Sequence, residues 1–151
     1  IIYNMANKSF EIWFNENYPM LATASMLIAF DRTIGVESMD KACEKLYSKW
    51  AQFEDGKKPA KPEHWVLRQA IDLIKKHDKS FDAQTIDLMV EEILSSFATT
   101  SQEKNLSSQL KSMNTDTRAV SVLRKFLGFA FSDISYIVKL DKATVEGMDD
   151  L

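Results

Sequence analysis

Apolar residues recur at three- and four-residue spacing along much of the chain, and the clearest case is 38–50, SMDKACEKLYSKW. Met39, Ala42, Cys43, Leu46, Tyr47 and Trp50 fall on one stripe of a helix of about three and a half turns. Asp40, Lys41, Glu44, Lys45, Ser48 and Lys49 lie elsewhere on it. Lys41, Lys45 and Lys49 form a mildly repulsive same-sign row, which Glu37 and Glu44 partly offset. The pattern predicts a core-packing helix with a solvated face.

The same reading extends to both sides. Residues 10–30 carry Phe10, Ile12, Trp13, Phe14, Tyr18, Met20, Leu21, Ala24, Leu27 and Ile28, a face broad enough to predict a largely buried helix that kinks or restarts at Pro19. Residues 31–37, with Gly35, read as a short connection. The focal helix is expected to stop near Phe53. Residues 54–62, EDGKKPAKP, form a basic loop. Pro62 then opens a helix over 63–77, with Val66, Leu67, Ala70, Ile71, Leu73 and Ile74 inside and Lys75 and Lys76 at its C-terminal end.

Asp82 is placed to cap a helix over 83–97, with Ile86, Met89, Val90, Ile93, Leu94 and Phe97 as its apolar set. Residues 98–105, ATTSQEKN, are polar and read as a linker. Beyond it, 106–113 reads as a short helix and 115–127 as a longer one, ended by Gly128. Ser132 is placed to cap 133–138, and Asp141 to cap a last helix from Lys142. Two short helices behind a supporting one make a helix-turn-helix pattern. The fold expected is all-α, with essentially no strand: a helical unit over 1–97, a linker at 98–105 and a smaller unit over 106–151.

Composition narrows the classes. The chain has 151 residues, of which 45% are hydrophobic, enough for a real core. Four glycines and three prolines favour helix throughout. One cysteine, Cys43, excludes an internal disulfide and fits a reducing, cytoplasmic compartment. No apolar run reaches the length of a membrane span. The net charge of −3 gives no general basic footprint, so any nucleic-acid contact must come from a local patch. His64 and His77 sit at opposite ends of one helix and cannot chelate a metal together. Cys43 lies on the apolar stripe, and no phosphate-binding glycine loop occurs. No catalytic residue and no cofactor is expected, and the chain does not read as an enzyme.

Over nearly its full length the chain resembles bacterial RNA polymerase sigma factors of the extracytoplasmic-function group. In the family's region 2, an Ala-Glu-Asp-Leu-Val-Gln-Glu run leads to an apolar residue and a Trp. Asp40, Glu44, Leu46 and Trp50 match it in register, while Met39 and Cys43 replace Glu and Gln. Phe53, Trp65, Val66, Leu67, Arg68 and Ala70 follow the family's Phe, loop and Trp-Leu-Leu-Arg pattern, with Asp72 where Asn is usual. In region 4, Arg118, Val122-Leu123-Arg124, Gly128-Phe129-Ala130-Phe131, Asp133-Ile134-Ser135 and Thr144-Val145 follow the family order.

The resemblance implies a transcription initiation factor that binds core RNA polymerase and promoter DNA, with an anti-sigma factor as a further partner. It implies polymerase contact through Asp40, Cys43, Glu44, Tyr47 and Ser48. It implies capture of unstacked promoter bases by the loop and helix after it. That task needs a pocket, cations and a ring to stack on, and Lys57, Lys58, Lys61, His64, Trp65, Arg68, Lys75 and Lys76 are the candidates. Trp65 serves either as that ring or as a partly buried core residue. In the last helix, KATVEGMDDL, only Lys142 and Thr144 resemble DNA ligands. Glu146, Asp149 and Asp150 would oppose phosphates there. Residues 1–78 carry 11 basic and 11 acidic side chains, and 79–151 carry 8 and 11. The acidic excess lies in the half expected to meet upstream DNA. The alternative is therefore a sigma-like interaction module that binds polymerase or a regulator without promoter recognition.

Overall fold

The computed structural model describes residues 7–77 and 114–149, and the expected elements at 83–97, 98–105 and 106–113 lie outside them. Among the described residues the chain is all-α, with no strand. Helix α1 spans Lys8–Ala29, α2 Arg32–Ser48, α3 Trp50–Glu54 and α4 Pro62–Lys75. Helix α5 spans Thr115–Ser121 and continues as a π-helical turn over Val122–Phe126. Helices α6, Phe131–Val138, and α7, Lys142–Asp149, follow.

Helix α1 starts where the Asn7 side chain accepts the Phe10 amide at 3.1 Å. It runs through Pro19 rather than restarting there. Its two halves differ. From Leu21 to Ala29 almost every side chain is buried, whereas Ile12 and Met20 are more than half exposed. The expected burial thus holds throughout the C-terminal half, whereas in the N-terminal half Phe10 is fully buried and Trp13, Phe14 and Tyr18 are partly so. Helix α1 ends in a left-handed turn at Phe30, φ 50°.

The connection expected over 31–37 is helix instead. Asp31 accepts the Ile34 amide at 2.9 Å and starts α2 at Arg32. Gly35 is needed for a crossing, not a turn. A Cβ there would lie 2.5 Å from the Met26 Cα, so only glycine lets the two helix backbones approach so closely. Ser25 Oγ donates to the Gly35 carbonyl at 2.8 Å across the same crossing. Beyond it, Met39, Ala42, Cys43 and Leu46 are fully buried, and Trp50 nearly so. The focal stripe therefore faces the core as its periodicity requires. Trp50 Nε1 donates to Ser9 Oγ at 2.7 Å, and the Phe10 ring packs edge-on against Tyr47 and Trp50.

Pro62 is the first residue of α4, where its missing N–H costs nothing. Trp13 Nε1 donates to Glu63 Oε2 at 2.9 Å and ties that end to α1. In the second half, α5 starts at Thr115 as expected, and Asn114 caps it, accepting the Thr117 amide at 2.9 Å. Gly128, φ 71°, closes the π turn in the left-handed region. Helix α6 begins at Phe131, one residue before the expected cap Ser132, and no side chain caps it. Asp141 does cap α7, accepting the Thr144 amide at 2.8 Å, and this bond first of all holds its carboxyl below the usual carboxylate range.

The described parts of both halves share one hydrophobic core. Ala119, Val120, Leu123, Ile134, Ile137, Val138 and Val145 pack into the same cluster as Leu27, Leu46 and Leu67. Arg118 joins the halves. Its Nε donates 2.8 Å to the Ile28 carbonyl, its guanidinium bonds Thr115 Oγ1 at 3.2 Å, and it lies over the Phe30 ring at 4.9 Å.

Three stability effects follow. Gly35→Ala should lower stability by about 1–3 kcal/mol in urea unfolding through backbone overpacking. Leu46→Ala should cost roughly 2–5 kcal/mol. Arg118→Met should cost about 1.5–3 kcal/mol, because it orphans a buried carbonyl at a helix end. Arg118→Lys should not restore that loss, since a lysine lacks the planar fork.

Candidate functional site

Helix α2 presents two edges to solvent. Its inner stripe is pinned, so its outer residues stand on a rigid support. Glu44 and Ser48 are exposed along one edge, and Lys41 and Lys45 along the other. Asp40 and Tyr47 are half-buried. Of the residues assigned to a polymerase contact, Asp40 departs from the expected full exposure. The Tyr18 hydroxyl donates to its carboxylate, and burial raises the Asp40 pKa above the usual value while this bond opposes the rise. Cys43 departs further. It is fully buried, and desolvation pushes its thiol up to about 12, so it packs in the core and offers a partner no surface.

The basic loop lies open. Helix α3 ends at Glu54, and Gly56, φ 70°, turns the chain away. Lys57 and Lys61 are exposed and Lys58 is half-exposed. Trp65 stands at the base of this loop, half-buried, with its ring 5.7 Å from that of Phe53 in an edge contact. One aromatic neighbour and a partly open ring let it serve both as packing and as a platform.

The remaining candidates on α4 face the second half of the chain. His64 is buried, with its ring 4.9 Å from Phe129 and Nδ1 3.9 Å from the Asp133 carboxylate. Arg68 lies 4.6 Å over the Tyr136 ring and donates to the Tyr136 carbonyl at 3.3 Å. Lys75 pairs with Asp116 at 2.7 Å. On the same side, Asp72 pairs with Lys139 at 2.5 Å. His64, Arg68 and Lys75 are therefore engaged within the fold and are not available as an open DNA face. Lys76 is exposed.

On α7, Lys142 and Thr144 are exposed, but Lys142 lies 4.0 Å from Glu146, one turn away. Only Val145 of this helix is buried. A shallow cleft of about 190 Å³ opens between the start of α2 and the end of α4, with Ile34 and Leu73 among its walls. No three His, Cys, Asp or Glu side chains converge as a metal site among the described residues. None of the described helices is long and apolar enough to cross a membrane.

Sequence reasoning missed three polar groups. Tyr18, Tyr136 and Arg118 each look like apolar-face or surface residues at their own spacing, and no local signal pairs them with Asp40, Arg68 and Ile28. The buried thiol makes one clear expectation: Cys43 should resist a thiol-disulfide reagent at neutral pH in the native protein and react fully once urea unfolds it. Rapid native labelling would contradict its placement. No known family model, curated protein or solved structure matches the chain.

Proposed function

We propose that the chain is a sigma-like transcription initiation factor of the extracytoplasmic-function type, which docks on core RNA polymerase through the Glu44–Ser48 edge of α2 and meets promoter DNA mainly through the loop after α3. One observation carries this reading. Helix α2 buries Met39, Ala42, Cys43 and Leu46 and exposes the polar edge of Glu44 and Ser48, and one short helix, α3, separates it from an open loop of Lys57, Lys58 and Lys61. A rigid, polar helix edge suits a protein contact, and an exposed lysine loop suits a phosphate backbone. Trp65 at the base of that loop adds a ring for an unstacked base.

A second reading, a sigma-like module that binds polymerase or a regulator without recognising a promoter, has its own support. His64, Arg68 and Lys75 are occupied by the second half of the chain, and α7 carries Glu146 and Asp149 beside its one lysine. The two readings share the α2 contact and part at DNA.

The test uses the full chain, because its halves share a core. Glu44→Lys combined with Ser48→Arg should leave the thermal midpoint nearly unchanged, as exposed substitutions usually stay within about 0.5 kcal/mol. The same variant should lose most of its co-purification with core polymerase. Retained binding would remove the α2 assignment. In the presence of polymerase, Lys57→Gln, Lys58→Gln and Lys61→Gln together should weaken promoter binding and flatten its dependence on salt. Polymerase binding with no promoter contribution from these lysines would select the second reading.

A further inference from the structure

The cleft between α2 and α4 brings together residues that the functions above leave unused. Lys41 comes from α2, and Lys76 and His77 from the end of α4. Ser38 also lines it. That serine is 4% exposed, yet no described residue hydrogen-bonds its hydroxyl. Its hydroxyl borders the open space of the cleft, where a bound oxygen can meet it.

We propose that this cleft is a binding site for one phosphoryl group, held by the Ser38 hydroxyl, the ammonium groups of Lys41 and Lys76 and the His77 imidazole. These side chains are all hydrogen-bond donors, and a phosphoryl group offers several acceptor oxygens around one charge. The helix ends do not decide the sign. The first turns of α2 lie opposite the last turn of α4, so the positive end of one dipole faces the negative end of the other. The side chains therefore set the potential, and Glu37 is the one opposing charge among the described lining residues. Leu73 closes one wall with apolar surface, which strengthens hydrogen bonds made beside it.

The phosphoryl group can belong to a nucleic-acid backbone or to a free phosphate. The first source rests on the DNA contact proposed above, and the second does not. Both are tested on the isotope-labelled full chain by nuclear magnetic resonance, first with inorganic phosphate and then with oligothymidylate. The signals of Ser38, Lys41, Lys76 and His77 should shift together with a single dissociation constant. Lys41→Gln and Lys76→Gln should each weaken binding about tenfold, as loss of a charge-assisted hydrogen bond does. Ser38→Ala should weaken it a few-fold, and Glu37→Gln should tighten it. All four variants should keep the wild-type melting temperature, because none removes a packed apolar group.

Shifts confined to other residues, or no shift with either probe, would overturn the site. So would Lys41→Gln and Lys76→Gln variants that bind as the wild type does. Phosphate bound in the cleft without oligothymidylate affinity upholds the site and removes the nucleic-acid source. Oligothymidylate bound undiminished by both lysine variants removes the site and leaves the loop contact standing.

Discussion

The end of α1 is the constraint on which the rest of the fold depends. A helix leaves its last carbonyls without partners, and these lie in the middle of the bundle rather than in water. Phe30 turns the chain left-handed there, and the Ile28 carbonyl is left pointing inward. Arg118, 90 residues further along, supplies the donor. A cation at a helix C-terminus is favourable, and the Phe30 ring and Thr115 hydroxyl complete its surroundings. The guanidinium is nine-tenths buried, so its desolvation must be repaid by these contacts together. One side chain thus caps α1, fixes α5 and sets where the second half lies.

That placement has a consequence for the surface. With α5 fixed on α1, α6 and the residues flanking it lie along α4 and meet it through Arg68 and Tyr136, Asp72 and Lys139, and His64 and Phe129. The cations on this face of α4 become internal ties. The exposed candidates are then the polar edge of α2, the lysine loop and the cleft holding Lys41 and Lys76. Among the described residues, the charge available to a polyanion is less than their sequence total suggests, and most of it lies in the first half of the chain.

The close crossing of α1 and α2 shows how one small residue changes the meaning of a pattern. Gly35 reads as a break, since glycine most often punctuates helices. Its real partner is the Met26 backbone, nine residues away in sequence and in direct contact in space. The Asp31 cap two residues after α1 was available as a signal, but glycine outweighed it in a local reading.

The all-helical class, the inward stripe of α2, the Pro62 start of α4, the Gly128 stop and the Asp141 cap were legible in the sequence, because each depends on side-chain periodicity or on a cap a few residues away. The open lysine loop was legible for the same reason. The tertiary structure alone decided that Arg118 closes α1, that Tyr18 holds Asp40, and that His64, Arg68 and Lys75 face other side chains rather than solvent. It alone placed Lys41 beside Lys76 and His77. Each of these pairs residues far apart in the chain, and hydrogen-bonding and charge patterns carry no record of a distant partner until the core has set the distance between helices.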